Sequence, residues 1–203
     1  MDLCRELAVP RAHQEDKMKK ILAIPALLLL AASASAQTAV AQTTTAQTTP
    51  AQTKNPVSSA LRDMLPGRQK NTIAAVEAMP ADKFNYKPTA DQMTFGHLVA
   101  HMVVANDTFC SKVADVPAPK VEEAKETDAK DKLVAALKAS FDFCAAALAK
   151  MDDSKLGETT ELFGSQTSHA SAGIRLASSW ADHYAEAAMY LRLNGILPPT
   201  AKK

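Results

Sequence analysis

Between Pro56 and Leu193 the apolar residues recur at intervals of three and four in four separate stretches, with proline, glycine or polar connections between them. Each stretch makes a helix with one apolar face, and four such faces cover one another in a helical bundle. The second stretch puts Phe95, Leu98, Val99, Met102, Val103, Asn106, Phe109 and Val113 on one side. The third aligns Leu133, Leu137, Phe141, Cys144 and Leu148. The expected helices are Pro56–Met79, a second from Ala90 or Asp91 to about Ala114, Ala129–Met151 and Ser168–Leu193. Pro66-Gly67 should break or kink the first, and Asn194-Gly195 ahead of Pro198-Pro199 should stop the last. Aromatic residues make up only 5% of the chain while alanine is abundant, which suits helices better than a sheet.

The N-terminal quarter has a different composition. Met18 to Gln37 reads MKKILAIPALLLLAASASAQ, which is two lysines, an apolar run and small residues ending Ala34-Ser35-Ala36, the order of a secretory signal. The apolar run is short for a membrane span, so cleavage after Ala36 is expected, with an uncleaved anchor as the alternative. Residues 1–17 are polar and unpatterned and read as an upstream artefact of the start codon; 18–36 is the signal peptide. Residues 37–54 repeat an Ala-Gln-Thr unit and read as a disordered linker. Residues 55–203 form the bundle. The protein is expected to be exported, to the periplasm or beyond, with no stable membrane span once the signal is removed.

The whole chain has a formal net charge of +1, and residues 1–36 carry five basic and four acidic residues, so the mature chain is neutral. With no basic cluster on any face, nucleic acid is excluded as a partner.

Two cysteines remain after cleavage, Cys110 and Cys144, and an oxidising compartment favours their pairing. They lie ~28 Å and ~22 Å along the second and third helices at 1.5 Å per residue. Parallel helices bring them near one level; antiparallel ones separate them by ~18 Å, too far to bridge. The 115–128 connection is long enough to carry the chain back along the bundle, so a Cys110–Cys144 disulfide and an up-down-down-up order are expected together. Two separate buried thiols are the alternative.

The stretch FNYKPTADQMTFGHLVAHMVVANDTFCSKV, then FDFCAAAL, then DHYAEAAMYLRLNGILPP, resembles the DinB-like family in its small exported bacterial branch. The resemblance runs from about Asn55 to Pro199 and rests chiefly on Lys87-Pro88-Thr89, His101 and the YLRLNGILPP ending. It implies a four-helix bundle. It further implies a divalent-metal site of three histidines, one in the second helix and two spaced i, i+4 in the fourth, with activities that include thiol-dependent transferases and isomerases. Carried over by position, His101 and His183 match, and the third ligand falls on Ser179. Serine is a poor ligand for zinc or nickel.

The histidines can also be weighed without the family. His97 and His101 are one turn apart, correct spacing for two ligands, but His97 points almost opposite the apolar face and should be solvated. On the fourth helix Gly173, Trp180, Tyr184, Ala187 and Leu191 form the buried face, with Ser179, His183, Glu186 and Tyr190 along its flank. Glu186 is one turn beyond His183, so His101, His183 and Glu186 make a candidate site for a divalent metal (Zn, Ni or Fe). The alternative is a pair of satisfied, partly buried histidines. His169 is ~21 Å before His183 and cannot share the site.

No P-loop, dinucleotide fingerprint, Cys-x-x-Cys or nucleophile elbow occurs. Three readings of function therefore stand: a helical binding or structural module with a degenerate metal site, a metal-dependent enzyme using His101 and His183, or an envelope partner-binding module. A small-molecule ligand and a dimer are compatible with each.

Overall fold

The computed structural model of the chain describes residues 54–201. The expected upstream artefact, signal peptide and all but the last residue of the linker lie outside the described residues. Helix α1 spans Pro56–Ala78, α2 Phe95–Ala114, α3 Lys130–Leu148 and α4 His169–Leu193. No helix among the described residues is long and apolar enough to cross a membrane.

The contacts between helices give their directions. Asn106 Nδ2 donates to Ser140 Oγ at 3.0 Å, and one turn further along both helices Cys110 and Cys144 form a disulfide with Cα atoms 5.2 Å apart. Pairings that advance together make α2 and α3 parallel. Lys138 Nζ meets Glu77 at 2.7 Å, while Arg62 Nη1 reaches the Leu148 carbonyl at 3.0 Å, so α1 runs against α3. At one end of α4 His169 Nδ1 lies 3.2 Å from the Val113 carbonyl, and at the other Tyr190 donates to the Met93 carbonyl at 2.7 Å, so α4 runs against α2. The order is up-down-down-up, as the cysteine spacing requires.

The core is built from large side chains of all four helices, with Trp180, Phe95, Phe141, Met79, Leu98 and Leu133 fully buried. Its one buried amide, Asn106, accepts from Trp180 Nε1 at 3.0 Å as well as donating to Ser140, so α2, α3 and α4 are joined at a single satisfied polar point. Tyr190, expected on the flank of α4, is buried.

Several boundaries differ from those read in the sequence. Helix α1 is continuous through Pro66 rather than broken: Pro66 and Gly67 are on the exposed side, so the bond that proline cannot make is lost where water can replace it. Helix α2 starts at Phe95 instead of Ala90 or Asp91, because Thr94 caps it, its hydroxyl accepting from the His97 N–H at 3.0 Å. The start of α1 is capped from a distance, with the Asp153 carboxylate accepting from Val57 N–H at 2.7 Å and Ser58 N–H at 2.9 Å. The connection before α4, read as a loop, contains a hairpin of β1 Thr159–Leu162 and β2 Ser165–Ser168. Its two turn residues, Phe163 and Gly164, both have positive φ (52° and 75°), the signature of a type I′ turn. Phe163 packs edge-on against Phe109 of α2 with ring centres 5.3 Å apart.

Candidate functional site

The antiparallel contact of α2 with α4 brings His101 and His183 together. Their ring centres are 5.1 Å apart and the planes are nearly perpendicular. Two imidazoles sharing one tetrahedral ion at ~2 Å per nitrogen have ring centres about 5 Å apart, so the spacing of this pair suits a shared ion. His101 is exposed and His183 half-buried. Burial, helped by the nearby His101, pushes His183 down to about 4, so its ring is neutral at physiological pH and keeps a lone pair to offer.

The number of ligands is where the site falls short. Ser179 occupies the position one turn before His183, and its hydroxyl lies 3.4 Å from His183 Nδ1. Glu186 is exposed and does not join the imidazoles; its charge acts instead on Tyr190, whose hydroxyl is pushed above its usual range first by burial and then by Glu186. Among the described residues no group of three or more His, Cys, Asp or Glu side chains is arranged to hold a metal. A resident catalytic zinc asks for three protein ligands. The residues present supply two, and they do not fit a resident catalytic ion.

A sequence model of the DinB superfamily matches residues 64–187, more than half of the chain. The chain belongs to the DinB superfamily. Two solved structures carry the same fold. A DinB-like protein from Bacillus subtilis is 18% identical, with a TM-score of 0.58 over 71% of this chain and 99% of that one. A DinB-like protein from Bacillus cereus is 14% identical, with a TM-score of 0.59 over 70% of this chain and 95% of that one. No curated protein matches the chain.

Two further groups of this DinB-superfamily chain escaped sequence reasoning. Asp107 is the one Asp, Glu, Lys or Arg between Phe95 and Ser111, and that isolation was the available signal. Its Oδ1 is buried without a hydrogen-bond partner, and burial pushes its carboxyl up to about 6. The second is a cleft on the other side of His101. The return segment 115–128 lies along α2 and leaves an open hollow of about 420 Å³, lined by His97, Ala100, His101, Val104 and residues 123–126. His97 is solvated, as its position on the helix predicts, and Glu126 stands 3.0 Å from its Nδ1. His169, set apart from the site by its distance along α4, is buried against the Val113 carbonyl.

Proposed function

We propose that this protein is an exported DinB-type helical module in which the divalent-metal site is degenerate, reduced to His101 and His183, and that it acts by binding or as a structural element without robust catalysis. One observation carries this reading: the two imidazoles are spaced for an ion, and a serine stands where a third imidazole would complete the set. A two-ligand site exchanges its ion readily and does not retain it through purification. Export is supported by the charged, apolar and small-residue order of 18–36 and by the disulfide, a bond that persists in oxidising compartments.

The metal content of protein purified without a histidine tag tests the proposal. Sub-stoichiometric zinc, nickel and iron are expected. A stoichiometric ion that disappears in His183→Ala would overturn the module and support a metal-dependent enzyme, a thiol-dependent transferase or hydrolase-like activity. The ring spacing is the observation that favours this second reading. In that case an incoming ligand, rather than Glu186, completes the set.

A further inference from the structure

His101 stands between two imidazoles, His183 across the helix interface and His97 one turn earlier on its own helix. We propose that His97 and His101 form a separate, solvent-facing chelate for a borderline divalent cation, Cu2+ above all, in the cleft between α2 and the return segment, with Glu126 orienting His97. This goes beyond the reduced His101–His183 site and does not depend on it.

Residues four apart on a helix project from the same face, and both of these rings line the same open hollow. Two imidazoles one turn apart chelate an ion without any movement of the backbone. The carboxylate is what makes this a prepared arrangement. Glu126 Oε2 lies 3.0 Å from His97 Nδ1 and 3.4 Å from the Thr94 hydroxyl. A carboxylate on Nδ1 fixes the proton there, leaves Nε2 with the free lone pair and raises its donor strength, as outer partners of metal-bound histidines do.

Glu126 is itself held in place. Gly96 lets the return segment approach so closely that a Cβ there would lie 2.6 Å from the Glu126 carbonyl oxygen. The segment then turns on itself, Lys125 N–H donating to the Asp128 carboxylate at 3.0 Å and Asp128 N–H to the Lys125 carbonyl at 2.9 Å. Two imidazoles with water completing the shell select copper, then nickel or zinc, over magnesium or calcium, which prefer oxygen ligands. Because His101 can serve only one pair at a time, an ion in the cleft and an ion between the helices exclude each other.

Calorimetric titration of the full, untagged chain with Cu2+ and Ni2+ tests the assignment, with Mg2+ as control. One Cu2+ should bind, with affinity falling at least tenfold in His97→Ala and in His101→Ala and changing less than twofold in His183→Ala. Paramagnetic resonance of the Cu2+ adduct should report two coordinated nitrogens in the wild type and one in His97→Ala. Glu126→Gln should weaken binding about tenfold or more while keeping the two-nitrogen spectrum and the wild-type melting temperature, which separates positioning from a structural role. His97 is exposed, so His97→Ala should melt as the wild type does.

Wild-type affinity in His97→Ala overturns the proposal. If His183→Ala then loses the ion, the interhelical pair is the ligand set. If all three histidine variants bind alike, the ion is adventitious only, and the proposal is equally overturned. The degenerate site is judged separately, by the metal retained through purification.

Discussion

Helix α2 meets two neighbours in contrasting ways. Against α3 its amide and thiol are matched: Asn106 donates to Ser140 while accepting from Trp180 of α4 deeper in the core, and the Cys110–Cys144 bridge lies one turn beyond. Against α4, little more than a turn earlier, His101 meets His183 with a serine in place of a third ligand. The matched side is buried, where an unmet polar group costs about 1–3 kcal/mol. The unmatched side opens to water, which completes what the protein leaves unfinished. Between the helices the incompleteness lies at the water-facing edge of α2, where it costs little stability and a ligand can enter; the buried, partnerless Asp107 Oδ1 is the exception on this helix.

The largest expected effect is on the matched side. Replacing both cysteines by alanine frees a loop of sequence separation 34, and the chain-entropy estimate for a loop of that length is about 3–4 kcal/mol. Denaturant unfolding of the double variant should register a loss of that order, and an unchanged midpoint would break the contrast. Next is Asn106→Leu, which strands the Trp180 indole N–H. A loss of about 1–3 kcal/mol is expected from that group, read from the same denaturation curves.

On the unmatched side the effect should have the opposite sign. Ser179→His places two imidazoles one turn apart on α4, facing His101. Zinc affinity should rise more than tenfold, about 1.4 kcal/mol, and be lost again when His183→Ala is added. No gain would mean that this side is closed to a third ligand.

The smallest effect is in the pH dependence of the metal-free protein. His183 titrates near 4 when folded against 6.5 ordinarily, so between those values the unfolded chain holds a proton the folded one lacks, and stability falls as pH drops. Asp107 titrates near 6 against 3.8, so there the folded chain holds the extra proton and stability falls as pH rises. The two oppose each other between about pH 4 and 6. Melting curves of Asp107→Asn across pH 4–7 should therefore show a steeper loss toward acid than the wild type; a parallel profile would remove Asp107 from the balance.

The bundle and the parallel pair were legible because they follow from periodicity and from the levels of Cys110 and Cys144, and the approach of His101 to His183 was what the family resemblance implied. What escaped depends on contacts distant in sequence or on segments without apolar pattern. The hairpin buries only Leu162, fully, and its strands Thr-Thr-Glu-Leu and Ser-Gln-Thr-Ser show no alternation to read. Asp153 caps α1 at Val57, 96 residues earlier in the chain, and no local signal marks it. In the sequence Glu126 is one acidic residue of a charged connection, and its place beside His97 depends on Gly96, which lets the Glu126 backbone approach α2. Helix phase puts Glu186 on the same flank as Ser179 and His183, but its side chain is exposed and its charge acts on Tyr190, which the sequence pattern alone does not show.

The bridge between α2 and α3 has one more consequence. It turns residues 110–144 into a covalent ring, and the exposed return segment is the part of that ring without helix or strand. A protease that cuts within 117–127 therefore opens the ring without releasing a fragment. The cleaved protein would migrate as one species until reduced, and only then as two.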